Sequence, residues 1–173
     1  MKKIYAGIGS RETPIQVLSF ITSLATRLNA NGFHLRSGGA IGADTAFARG
    51  HSIENMTIYR PDHAINDRNA EALFRSVHPF QHRFSKTQSI LLHSRNAYQV
   101  HGFKLNDPVD FVLCWTKLGS ESEAELKSHG WVEGGTSTAV ALASRAGIPV
   151  FNLQKPDALN RFYAFMRENY QLG

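Results

Sequence analysis

The sequence predicts a doubly wound α/β domain, with a mainly parallel sheet between two layers of helices. Three observations carry this expectation. Short apolar runs alternate with helical segments along the 173-residue chain, as βαβ units with right-handed crossovers do. The runs are continuously apolar rather than alternating, which suits strands buried on both faces. Three of them are followed by glycine-rich turns: Gly7-Ile8-Gly9-Ser10-Arg11, Ser37-Gly38-Gly39-Ala40-Ile41-Gly42-Ala43-Asp44 and, after an intervening stretch, Gly134-Gly135-Thr136-Ser137-Thr138. The expected strand order is 3-2-1-4-5, in a single domain over residues 1–173.

Each element has its own signal. Ile4 to Ile8 is a short apolar run broken only by small residues, and predicts the first strand. Thr13-Pro14 predicts a helix start, with Thr as N-cap and Pro at the first helical position. Val17, Phe20, Ile21, Leu24, Ala25 and Leu28 then recur at helical spacing, and Asn31-Gly32 ends the helix. Phe33 to Leu35 predicts a second strand. A small-residue helix follows over about Gly42 to Arg49, stopped by Gly50, and Met56 to Tyr59 predicts a third strand ended by Arg60-Pro61.

Residues 62–105 are polar, aromatic and basic, and carry His63, His78, His82, His93 and His101. Helical character over Asn66-Asp67 to Val77 and over Ser85 to Val100, with no strand pattern, predicts a helical insert beside the sheet. Val109 to Trp115 is the strongest strand signal, as a central buried strand should be. Residues 117–133 are rich in Gly, Ser, Glu and Lys and predict a long, solvated, mobile loop. A small-residue helix from the third glycine turn to Ala146, a strand over Ile148 to Leu153 and an amphipathic helix from Pro156-Asp157 to Tyr170 close the chain.

Composition narrows the setting. Hydrophobic residues make up 42%, ordinary for a globular protein. The formal net charge of +5 admits an anionic partner, although no dense Lys/Arg stripe occurs. The one cysteine, Cys114, lies in an apolar run and predicts a buried small hydrophobe in a reducing compartment. The N-terminus lacks the apolar core of a signal peptide, and no apolar run approaches the ~20 residues of a membrane span. The expectation is a soluble cytoplasmic protein.

The chemistry points to one edge. The three glycine turns follow the first, second and fourth strands, and in an open parallel sheet ligands bind outside the strands' carboxyl ends. Gly9, Gly38, Gly39, Gly42, Gly134 and Gly135 let the backbone come close to a ligand, with the small Ala40 and Ala43 beside them. The helix starts behind the turns offer free N–H groups to a phosphate. Ser10, Ser37, Thr136, Ser137 and Thr138 supply hydroxyls, which cap helices equally well. Arg11 is a candidate for phosphate recognition. Asp44 suits a ribose hydroxyl, a neighbouring amide or the helix dipole. Arg95 and Asn96 join the same cleft if the insert folds over it. No metal signature occurs: there is no HExxH, and His78 with His82, at i,i+4, lacks a third ligand and fits a surface pair. No nucleophile–His–acid set stands out, so no catalytic residue is assigned and no cofactor is required.

In combination these motifs resemble a known superfamily. Gly9-Ser10-Arg11, Ser37 to Asp44, Arg95-Asn96 and Gly135-Thr136-Ser137-Thr138-Ala139 are similar, in order and approximate spacing over residues 4–153, to the Rossmann-like core of the DNA-processing protein family (DprA/Smf). The wider SLOG group also holds the "lonely guy" cytokinin-riboside phosphoribohydrolases and many nucleotide-ligand sensors. The resemblance implies a phosphate-bearing nucleotide, or a nucleotide-derived signalling ligand, gripped by the three turns with Arg11 and Arg95. It implies single-stranded DNA as an alternative partner and a homodimer or higher homo-oligomer.

Two departures matter. The phosphoribohydrolases carry a catalytic glutamate in a PGGxGTxxE motif; aligned on Gly134-Gly135, that position is Ala141 here. The missing acid argues against a nucleoside 5′-monophosphate phosphoribohydrolase, since glycosidic cleavage generally needs a carboxyl group. Glu125 or Glu133 would have to come in from the 117–133 loop. DprA proteins also carry further domains, whereas these 173 residues match little more than the core. Stand-alone chains with this turn are similar to DprA-like proteins of phages and mobile elements. There a role in sequestering or sensing a signalling nucleotide is expected.

Overall fold

Strand β1 (Ile4–Gly9) runs parallel to both of its neighbours, β2 (His34–Ser37) and β4 (Phe111–Trp115). Tyr5 stands level with Leu35 on one side and Phe111 on the other. Adding β3 (Met56–Ile58) outside β2 and β5 (Val150–Asn152) outside β4 gives a five-stranded, all-parallel sheet of order β3-β2-β1-β4-β5. This is the expected order. The coordinates are a computed structural model describing residues 2–172.

The sheet separates two apolar layers, and the alternation of strand side chains divides the core between them. Tyr5, Leu35, Phe111, Leu113 and Trp115 face helices α1 (Ile15–Ala30), α2 (Ala43–Arg49) and α7 (Ala158–Tyr170). Ala6, Ile8, Val112 and Cys114 face α4 (Thr87–His101) and α6 (Thr136–Arg145), with α3 (Arg68–Val77) and α5 (Glu123–Ser128) packed beside them. Phe111 is fully buried and stacks on Tyr5 at a ring separation of 5.4 Å. Burial of one such side chain stabilises the fold by about 2–3 kcal/mol. Cys114 is buried, as expected of a small hydrophobe.

Four expectations need correction. Residues 62–105 do supply the expected helical segment after β3, α3 and α4, but it is not merely a cover beside the sheet. Helix α4 is an integral part of one layer, with Ser94 to Val100 all buried. The local sequence hid this, because four of those seven residues are polar or charged. Second, residues 117–133 are not a solvated mobile loop. They contain α5, bury Ser120, Leu126 and Trp131, and are tied down by Glu121 pairing with Arg161 at 2.8 Å and Lys155 at 3.3 Å. Third, Thr13 does not cap α1. Its hydroxyl donates to the Ser10 carbonyl at 2.7 Å, and Pro14 itself takes the cap position. Fourth, His78 and His82 are not a surface pair. His78 is buried among Phe74, Phe84, His93 and Trp131, while only His82 is exposed.

The strands are also shorter than their apolar runs. Tyr59, Val109 and Ile148 are buried but lie outside β3, β4 and β5.

Candidate functional site

All three glycine turns emerge at the carboxyl edge of the sheet, around a cleft of about 750 Å³. Of the residues expected there, Gly9, Ser10, Arg11, Ala40, Asp44, Arg95, Asn96, Gly134, Gly135 and Thr136 line it. The first turn starts where β1 gives out, since the Ser10 N–H still donates to the Trp115 carbonyl at 3.0 Å and extends the β1–β4 ladder by one bond. Arg11, next along the chain, is exposed.

Asp44 organises the edge. It is 4% exposed, and its carboxylate accepts three backbone N–H groups: Gly9 on one oxygen at 3.0 Å, Gly38 and Ala40 on the other at 3.2 and 3.4 Å. Burial pushes its pKa up to about 6, against the opposing pull of Arg95 and of those three amides. Among the readings open for Asp44, the geometry selects the neighbouring amide. The consequence revises the phosphate-cradle expectation for residues 37–44. The amides of Gly38 and Ala40 are occupied by a carboxylate of the same chain rather than open to an incoming anion.

The rest of that turn is structural. The buried Ser37 hydroxyl donates to the Gly7 carbonyl at 2.6 Å. Gly42 has φ +103°, and a Cβ there would lie 2.4 Å from the Ser10 carbonyl oxygen, so the second turn packs directly on the first. Ala43 donates its N–H to that carbonyl at 3.3 Å and is fully buried. Gly39 packs against Ile58. Ser37, Gly38, Gly42 and Ala43 therefore stand buried behind the cleft wall, and Gly39 is exposed but does not line the cleft.

Arg95 lies beneath the second turn. It is 6% exposed, and one of its terminal N–H groups donates to the Gly38 carbonyl at 2.6 Å and the Tyr59 carbonyl at 2.8 Å. Its Nε is buried without a partner. Gly38 permits this approach, because a Cβ at that position would lie 2.0 Å from the guanidinium. Arg95 thus clamps β2 to β3 while facing the cleft.

The third turn is held from α4. The Asn96 amide donates to the Gly135 carbonyl at 2.7 Å, and His93 bonds Thr138 at 2.8 Å. Ser137 and Thr138 are fully buried, so of the three hydroxyls expected there only Thr136 reaches the cleft. Helix α6 begins at Thr136 with no side-chain cap, which leaves its positive dipole end at the cleft wall.

Sequence reasoning missed several lining residues: Glu12, Leu92, His93, Gln99, Lys117, Leu118 and Val132. Lys117 had a usable signal, since it follows the central strand at the edge where ligands bind. Glu133, considered only as an acid that would have to come in from residues 117–133, does line the cleft. One of its oxygens accepts the N–H groups of Leu118 and Ser120 at 3.1 and 3.4 Å, and the other is buried without a partner. His93 is pushed down to about 4, first by burial and then by His78 and Arg95. Ala141, aligned with the hydrolases' glutamate, is fully buried in α6 and does not line the cleft. No cluster of three His, Cys, Asp or Glu suited to a metal occurs among the described residues. None of the described helices is long and apolar enough to cross a membrane.

Neither a family model nor a curated protein matches the chain. A solved structure does: DNA processing protein A from Helicobacter pylori, described for a unique single-stranded DNA binding mode. It is 18% identical, with a TM-score of 0.52 over 99% of this chain and 75% of that one. At that identity the likeness establishes the fold, a Rossmann-like α/β domain.

Proposed function

We propose that this chain binds nucleotides in the carboxyl-edge cleft, and that the occupant is a nucleotide of single-stranded DNA. One observation carries the reading. Arg11 and Lys117 line the cleft, both exposed, and neither has an ion-pair partner among the described residues. On the same wall Leu118 and Val132 expose 42% and 71% of their surface. Two cations beside exposed apolar groups match a ligand with a phosphate at one end and a flat ring at the other. The uncapped start of α6 adds a partial positive charge on the phosphate side.

The strand form is supported by the net charge of +5 and by the fold shared with a DNA processing protein. A free nucleotide-derived signalling ligand, sequestered or sensed as in the phage-borne setting, is the second reading. The cleft volume favours it, because about 750 Å³ lies within the range of small-molecule sites.

Fluorescence anisotropy on a labelled single strand, repeated across a salt series, tests the proposal. Affinity should fall steeply as salt rises, because phosphate contacts release counterions. The double substitution Arg11→Ala/Lys117→Ala should weaken binding by about tenfold or more without changing the melting temperature. Strand binding indifferent to both salt and the double substitution would overturn it.

A further inference from the structure

A second groove of about 450 Å³ adjoins the cleft, and His93, Gly134 and Gly135 are common to both. It is lined by the half-buried rings of Phe80 and Phe84, by the buried Trp131, and by the exposed Arg83 and Lys86. No acidic side chain lines it. Arg83 and Lys86 are exposed and form no ion pair among the described residues. The Arg83 guanidinium lies 4.6 Å from the centre of the Phe80 ring, in cation–π contact.

We propose that this groove is a second nucleotide subsite, so that the chain holds two consecutive nucleotides of one single strand. The inference rests on the nucleotide reading of the cleft and adds to it a neighbouring position with a direction along the protein surface. Aromatic faces with cations at the rim are what strand-binding proteins use, because every base has a π-face to stack and every linkage a negative charge. The wall between the two sites is the Gly134-Gly135 turn. Open space lies where a Cβ would stand on Gly134, so no side chain blocks a backbone crossing there. Ser85 and Ser89 add hydroxyl groups for the second phosphate. Charge decides against a cation as occupant of the groove, which has only positive formal charge, whereas the cleft also contains Glu12 and Glu133.

Length-dependent binding tests this. The full chain is titrated with the four deoxynucleoside 5′-monophosphates, with mixed-sequence single strands of two, four and eight nucleotides, and with a short duplex. The dinucleotide should bind about tenfold tighter than the best monophosphate, the increment expected for one added stacked base. The double substitution Arg83→Ala/Lys86→Ala should abolish that gain and lower the salt slope for strands by about 1.4. The substitution Arg11→Ala should weaken monophosphates and strands together. A dinucleotide no tighter than a monophosphate, a length gain that survives Arg83→Ala/Lys86→Ala, or a duplex bound as well as the strand would each overturn the second subsite while leaving the cleft intact. Failure of every monophosphate and every strand to bind would instead overturn the nucleotide reading, and the subsite with it.

Discussion

The carboxylate of Asp44 accepts the backbone N–H of Gly9 at 3.0 Å, across 35 positions of sequence, and so ties the first glycine turn to the second. Its other oxygen holds Gly38 and Ala40. Asp44→Ala should therefore leave three amide donors at or near the protein interior without an acceptor. We expect a loss of about 3 kcal/mol, measured by urea unfolding at neutral pH. A loss below about 1 kcal/mol would mean that solvent replaces the carboxylate.

The raised pKa of Asp44 has a definite sign in stability. The native carboxyl titrates at about 6 and the unfolded one near 3.8, so between these values the native state holds more proton. Stability contributed by this group is present below pH 4, falls as pH rises towards 6, and is level above. Asp44→Asn removes the dependence. The stability of wild type relative to that variant should fall by about 2 kcal/mol from pH 4 to pH 6.

His93 acts in the opposite direction. Its native pKa lies at about 4, below the unfolded value of 6.5. The unfolded state therefore binds more proton in that window, and stability falls as pH drops from 6.5 towards 4. His93→Gln should abolish this component, worth up to about 3 kcal/mol. The check is the difference between wild-type and variant unfolding free energies across the window. A difference that does not vary with pH would count against the burial of His93.

Glycine positions separate packing from backbone strain. Gly42→Ala must place its Cβ 2.4 Å from the Ser10 carbonyl oxygen at φ +103°, whereas Gly130→Ala at φ +70° meets nothing within 4 Å. The first should cost about 3 kcal/mol or more, the second about 1 kcal/mol. Thermal unfolding ranks them, and equal costs would show that the two turns do not pack as described.

Arg11→Ala and Lys117→Ala should separate binding from stability. Both side chains are exposed, so each change should leave unfolding within about 0.5 kcal/mol of wild type. Each should weaken strand binding several-fold, and a ligand titration alongside thermal melts checks both halves.

Much of the fold was legible because it depends on local pattern. Continuous apolar runs marked the strands, and Gly32, Gly50 and Gly147 marked helix ends that the structure places within a residue or two. What escaped depends on tertiary partners. Gln99 carries no signal in sequence, and Arg95 and Asn96 belong to the cleft there only on condition that their segment folds over it; α4 buries all three, and Arg95 and Asn96 bond to carbonyls from distant turns. The polarity of residues 117–133 suggested solvation, whereas Glu121 and Glu125 are held by Lys155 and, for Glu121, Arg161. At the candidate site, the glycine turns showed where the cleft lies. They could not show that Asp44 fills the amides of the middle turn, since a carboxylate in a first helical turn has several equivalent uses.

The bonds that Asp44, Arg95 and Asn96 make to the three turns are all internal to the chain. Their kinetic consequence is that the cleft needs no assembly step before it accepts a ligand. Association should be a single exponential whose observed rate rises linearly with ligand concentration and shows no plateau, with electrostatic steering by Arg11 and Lys117 setting its speed.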